Sequence, residues 1–359
     1  MSGRARRGQP VEERRDERDG GHANGRKMDR AGFLKLTLGA AASLTLIGAG
    51  CGGGTRPAAS AAATGASAPA TSTTAGGAPS TPPSPSASPA PAYLAVVKGK
   101  DPAAITRAAV DALGGMARFV RHGADVIVKP NICSSSRSYE YAATTNPVVV
   151  ATLVAMCLDA GAKRVRVMDS PFSDTPDAAY ADSGIAAAVE KAGGTMVIMS
   201  PLGYATAPIP HGRDIKSWQI YRDALKADVL VNVPIAKQHG STVLTLGCKN
   251  LMGVVLDRGG FHVNLSQRIA DLTSVMRPAL TLVDAVRILT ANGPTGGSLS
   301  DVKRLDTVIA SHDVVAADSR AANLFGLKGS DIGYLVAAHE MGLGKLEVGQ
   351  AATRTLKVV

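Results

Sequence analysis

The sequence predicts an α/β fold, a mostly parallel sheet with helices on both faces, preceded by a disordered N-terminal export and linker region. Three observations carry this. Short apolar runs such as Val126–Val128 and Val229–Val233 recur and stop at Pro, Asn or Asp. Segments with helical period and capping residues alternate with them. The runs are continuously apolar instead of alternating with polar residues, as strands covered on both faces are.

Taken in order, Tyr93–Val97 reads as the first strand. Asp101-Pro102 supplies N-cap and first-turn chemistry for a helix from Ala103 to Leu113. Asp125–Val128 is a buried strand closed by Lys129-Pro130-Asn131, and Asn146-Pro147 opens a helix that ends at Gly161. Arg164–Met168 is a strand ending at Asp169-Ser170-Pro171. A helix over 177–191 and a strand at Thr195–Met199 follow. After the strand Val229–Val233, helical patterns cover 242–254 and 265–276. Leu280–Val286 and Thr307–Ala310 read as strands, and 313–325 and 331–341 as helices.

The region before Tyr93 has a different character. Residues 1–27 mix both charge signs and read as a disordered leader or a mis-assigned start. Residues 28–51 have signal-peptide grammar: Arg30 and Lys35, then an apolar run of small residues up to Cys51. Asp29–Lys35 resembles a twin-arginine signal with Ala31 in place of the second arginine, and Gly48-Ala49-Gly50-Cys51 resembles a lipobox. Residues 52–92 are, apart from Arg56, Ala, Ser, Pro, Thr and Gly, the composition of a flexible linker. The expectation is an exported protein of the cell envelope, lipidated at Cys51 and held at the membrane surface, with an α/β domain over 93–359.

The net charge is +10, but part of it sits in the leader, and the domain's basic residues are scattered. With 4% aromatic residues there is no stacking platform, so nucleic acid is not an expected partner. The 4 cysteines include no CxxC, which excludes a zinc ribbon or an iron–sulfur cluster held by this chain's usual motifs. Cys157 reads as a core thiol. Cys133 and Cys248 each lie beside a motif, and a bridge between them is conceivable.

In open α/β sheets, ligands bind beyond the carboxyl ends of strands. The polar residues there are therefore the candidates. Lys237, His239, Lys249 and His262 are the group suited to proton transfer. Lys129, Asn131 and Asn250 would bind and orient a ligand. Gly293 and Gly296, in Gly293-Pro294-Thr295-Gly296-Gly297, would close over it with backbone N–H groups. Asp169 and Asp284 would ligate a metal or serve as carboxylate partners, Asp284 for Lys249 in particular. Asp313 has N-cap logic, and Asp318 interrupts an apolar helical run.

The same stretches resemble the DUF362 family. They are Val126–Asn131, Thr145-Asn146-Pro147, Asp169-Ser170-Pro171 with Ser183-Gly184-Ile185, and Val231-Asn232-Val233-Pro234 followed by Lys237-Gln238-His239. Lys249–Gly253, Gly293–Gly296 and Asp313–Asp318 complete the series in order. Some members of that family carry ferredoxin-like cysteine clusters beside the domain. This chain has none, so iron–sulfur binding is not implied. The expectation that follows is a crevice for a small anionic ligand, with a divalent metal as an additional occupant. The alternatives are a non-catalytic solute-binding or scaffold lipoprotein, and an accessory to an iron–sulfur redox partner.

Overall fold

The computed structural model describes residues 90–359. The export-like segment, the linker and Cys51 lie outside the described residues.

The elements, in chain order, begin with β1 (Leu94–Lys98), α1 (Pro102–Ala112), β2 (Asp125–Pro130), α2 (Pro147–Asp159) and β3 (Arg164–Val167). Then come α3 (Pro176–Asp182), α4 (Ile185–Lys191), β4 (Thr195–Met196), β5 (Tyr204–Pro208), β6 (Ser217–Tyr221) and α5 (Arg222–Lys226). The motif-rich region holds β7 (Val229–Val233), β8 (Ile235–His239), β9 (Val243–Thr245), α6 (Gly247–Asn250) and α7 (Leu265–Met276). The chain closes with β10 (Leu280–Leu289), β11 (Val302–Ser311), α8 (Val314–Ala322), α9 (Gly333–Glu340) and β12 (Thr353–Lys357).

The main sheet runs β12-β1-β11-β10-β7-β2-β3-β4, with β8 paired to β10 and β9 to β8. All neighbours along the main path are parallel except those of β11, which runs antiparallel to β1 and β10. The mostly parallel α/β architecture expected from the sequence is therefore what forms. Period-2 alternation sends Leu94, Val96, Ile127 and Val283 to one face and Val97, Val126, Val128 and Val308 to the other. Helices α1, α2 and α4 cover the second face, while α7, α8 and α9 cover the first. Each aliphatic side chain fully buried this way contributes about 1.5–3 kcal/mol.

Three local readings are corrected. The helix expected over 177–191 breaks in two at Gly184, whose φ of +74° is left-handed. The segment 242–254 is not one helix: it is β9, the single-turn α6 and a 3-10 turn at Leu251–Val254. Lys237 and His239, expected just past the end of the Val229–Val233 strand, lie on a second strand, β8. The hairpin β5–β6 and the edge strand β12 carry no strong sequence signal and are additions.

The topology locates the site. From β2 the chain proceeds to β3 and β4 on one side, while β7 and β10 lie on the other. The carboxyl end of β2 is thus a switch point, where neighbouring connections diverge and leave a crevice.

Candidate functional site

A cavity of about 290 Å³ opens at that switch point. Its walls include Lys129, Asn131, Asp169, Lys237, His239, Thr245, Lys249, Asn250, Arg258 and His262, with Ile132, Phe172 and Met252 supplying apolar surface. Residues far apart in sequence meet here because β2, β3 and β8 all end at this rim.

Lys129 is the last side chain before Pro130 ends β2, and it is 1% exposed. Its Nζ pairs with Asp169 Oδ1 at 2.7 Å and donates to Asn250 Oδ1 and Pro130 O, both at 2.9 Å. Burial lowers the ammonium pKa and the Asp169 carboxylate opposes that shift. Asp169 also accepts from the backbone N–H of Ile132 and of Ser170. It is consequently a lysine partner that ties the β2 and β3 loops together. Gly253 packs against this pair so closely that a Cβ there would lie 2.0 Å from Asp169 Oδ1.

Asn250 knits the floor. Its Oδ1 accepts from Lys129 and from Asn131 Nδ2, and its Nδ2 donates to Asn232 Oδ1. Asp318, fully buried on α8, accepts from the N–H groups of Gly247 and Cys248, which fixes the start of α6 and with it Lys249 and Asn250.

Lys237 and His239 share one face of β8, with Thr245 opposite Lys237 in the β8–β9 register. Lys237 Nζ donates to Asn131 Oδ1, Ala143 O and Pro294 O at 2.7–2.9 Å. An ammonium has three donors. All are used on neutral oxygens, so Lys237 contributes charge to the cavity and no free hydrogen bond. Lys249 differs: among the described residues no carboxylate pairs with it. Burial first, then the neighbouring Lys237, Arg258 and Lys129, pull its pKa down to about 8.

The imidazoles are complementary. Ser241 N–H donates to His239 Nδ1, which leaves the proton of the neutral ring on Nε2. Burial, followed by Lys249 and Lys237, lowers His239 to about 3, so it stays neutral. His262 Nδ1 meets the Arg258 carbonyl at 3.0 Å, which requires a proton on Nδ1 and, in the neutral ring, leaves Nε2 as an acceptor. One ring therefore offers a donor and the other a lone pair.

Two sequence-based assignments do not reach the cavity. Asp284 is fully buried away from it, accepting from Asn146 N–H and Val286 N–H; burial raises its pKa to about 6. It anchors the start of α2 and is not the partner of Lys249. Gly293 N–H is bound to Gln238 Oε1 and Gly296 N–H to Asn292 O, so neither is available as an anion cradle. The loop contributes the Pro294 carbonyl instead. Among the described residues no three His, Cys, Asp or Glu side chains cluster as metal ligands. Cys133 and Cys248 are both free thiols.

Three wall residues were not anticipated as site residues. Arg258 donates to Ser170 O and Pro171 O and pins the β3 loop. Cys133 lies on the wall with its sulfur 3.6 Å from Pro294 O. Thr245 is 4% exposed, and its Oγ1 has no hydrogen-bond partner. Only Cys133, next to the Lys129-Pro130-Asn131 corner, carried a sequence hint.

The chain belongs to the DUF362 family, a domain of unknown function whose family model matches residues 126–323. A thylakoid-associated protein of Synechocystis sp. is 28% identical over 253 residues, covering 66% of this chain and 74% of that protein. Among solved structures, the lactate racemase apoprotein from Thermoanaerobacterium thermosaccharolyticum gives a TM-score of 0.41 at 14% identity, over 64% of this chain and 56% of that one. A protein from Thermotoga maritima gives 0.39 at 12% identity, over 64% of this chain and 60% of that one. The chain thus spans less than two thirds of either solved structure.

Proposed function

For this DUF362 member we propose that the cavity binds a small anionic ligand and handles a proton on it. The observation that carries the reading is charge imbalance. Lys129, Lys237, Lys249 and Arg258 line the wall, and its acidic member Asp169 is already engaged by Lys129. An ammonium held away from water without a counter-charge is costly, and a bound anion relieves that cost. Lys249 is the group an anion would meet directly. With a pKa near 8 it also gives or takes a proton close to neutral pH. His239 and His262 would supply a donor and an acceptor beside it.

The shifted Lys249 and His239 favour proton chemistry, such as that of a lyase or isomerase, over a passive solute-binding module. A scaffold would have no use for an unpaired amine. The donor set gives no independent support for a divalent metal.

Acetate, oxalate and phosphate are suitable probes in a thermal-shift assay. Saturation with a preferred anion at about a hundredfold its Kd should stabilise by about 2.7 kcal/mol, a rise of about 5 °C or more for a domain of this size. Lys249→Met should abolish the rise. Equal shifts in wild type and variant would place the anion elsewhere.

We further propose that the domain works outside the cytoplasm, tethered through Cys51. The support is the Arg30–Lys35 region and the apolar run ending at Cys51. Metabolic labelling with a radioactive fatty acid, lost in Cys51→Ala, tests it; unlabelled wild type would argue against the tether.

A further inference from the structure

We propose that the Cys133 thiol is a nucleophile of this cavity, and that its ligand is a small carboxylate bearing an electrophilic carbon. The inference rests on the anion reading above and narrows it.

Of the free cysteines among the described residues, Cys133 alone lies on the cavity wall. Cys157 is buried among the apolar helices, where burial pushes its thiol up to about 12, and Cys248 lies fully buried on α6 against Asp318. Cys133, itself only 4% exposed, is placed differently because it borders the cavity. Its sulfur and the Lys237 ammonium converge on the same Pro294 carbonyl, at 3.6 and 2.9 Å. Lys237 has no carboxylate partner, so its charge is available to hold a thiolate. Lys249 lines the same wall, and its amine is the base the step below uses.

Thr245 points independently to a ligand. Its hydroxyl is unpartnered although the residue is 4% exposed, and it stands across from Lys237 on the hairpin. A buried hydroxyl is ordinarily hydrogen-bonded. A ligand oxygen would complete it. The wall then offers charge for a carboxylate, a hydroxyl for a second oxygen and a sulfur for a carbon, in a space that admits only a small molecule.

The step balances without an oxidant. The step runs in the fraction of molecules whose Lys249 is neutral, with Lys129, Lys237 and Arg258 carrying the charge: the thiol proton passes to the Lys249 amine and the sulfur lone pair forms the bond to carbon. With a carbonyl carbon, the C=O π pair moves to oxygen, which takes that proton back from Lys249. With iodoacetate as the probe, the carbon–iodine bond breaks and iodide leaves to solvent.

The test compares alkylation of Cys133 by iodoacetate and by neutral iodoacetamide in the full chain at pH 7.5, followed by peptide mass mapping. Each rate is divided by that of 2-mercaptoethanol with the same reagent. The normalised iodoacetate rate should exceed the iodoacetamide rate by about tenfold or more, because a cationic cleft concentrates the anion. Lys249→Met should remove that preference. Cys133→Ser should lose the label. A Cys133 that neither reagent labels while the denatured chain is labelled overturns the nucleophile, as does a normalised preference near one. The thermal shift read in parallel shows whether the anion site survives that result or falls with it.

Discussion

Lys249→Met should make the domain more stable. An ordinary lysine titrates at 10.5, and Lys249 titrates at about 8 in the fold. At pH 7 both folded and unfolded chains carry the proton, so the fold bears the whole difference. At 1.36 kcal/mol per unit of pKa, that is about 3 kcal/mol. Methionine keeps the length and apolar body of the side chain and removes the charge, so it should recover about 2–3 kcal/mol at pH 7. The sign follows from proton binding. Between pH 8 and 10.5 the unfolded chain binds the proton and the fold does not, so wild-type stability rises across that window. The advantage of Lys249→Met should shrink over the same window and vanish above it. Urea denaturation at pH 7 and pH 10, with the m-value checked for constancy, measures both. A variant less stable than wild type at pH 7 would refute the argument, because it would mean that Lys249 has a favourable partner in the fold.

Other perturbations test the rest of the site. Thr245→Val removes an unsatisfied buried hydroxyl at nearly constant shape, so stability should rise by about 1 kcal/mol while the anion-induced thermal shift weakens. Thr281→Val removes a second such hydroxyl away from the cavity wall and should stabilise without touching the anion response; loss of the response there would show that the effect is not local. Asp169→Asn leaves Lys129 buried without its counter-charge and should cost about 3–5 kcal/mol in urea denaturation. A cost under about 1 kcal/mol would class the pair with exposed ones. His239 stays neutral in the fold down to about pH 3, whereas an ordinary imidazole gains its proton below 6.5. Stability is therefore lost as pH falls from 6.5, and His239→Gln should flatten the fall in urea midpoint between pH 6.5 and 4. Unchanged slopes would assign the acid sensitivity to other groups.

The parallel sheet was legible because its strands are short, apolar and stopped by proline or aspartate. Val229–Val233 and Leu265–Met276 form with the boundaries their patterns give. The stretch over 242–254 misled because Val243-Leu244-Thr245-Leu246 is too short for its period to separate strand from helix, and pairing with β8 decided the outcome. That same pairing sets Thr245 opposite Lys237, so this site member had no local signal at all. The cations were legible, since lysines in apolar runs at strand ends demand an explanation. Their partners were not. Asp169 and Asp284 look alike in sequence, each an aspartate in or just beyond an apolar strand. Both accept from backbone N–H groups, yet Asp169 alone also meets an ammonium, a difference set by which loops cross above them. The glycine loop misled for a related reason, because its N–H groups were taken by Gln238 and Asn292.

The organisation of these charges favours a cavity maintained for a ligand over an incidental hollow. Lys129 is compensated in full, and Gly253 packs so tightly against its ion pair that no other residue fits without displacing it. Lys237 is compensated in hydrogen bonds and left uncompensated in charge. Lys249 has no counter-charge, and a buried aspartate, Asp318, is spent on holding the turn that presents it. Burial raises the Asp318 pKa to about 7, so the fold bears an electrostatic cost at the turn that presents both Asn250 and an amine that itself destabilises the domain. Two linked costs at one rim of the sheet, both relieved or made useful by an anion, are what a site held ready for binding requires. Asp318→Asn, which retains one acceptor for the turn, removes the buried charge and should lower anion affinity, with the urea midpoint measured alongside to separate orientation from stability. An unchanged affinity would leave the turn with no functional reason to be held.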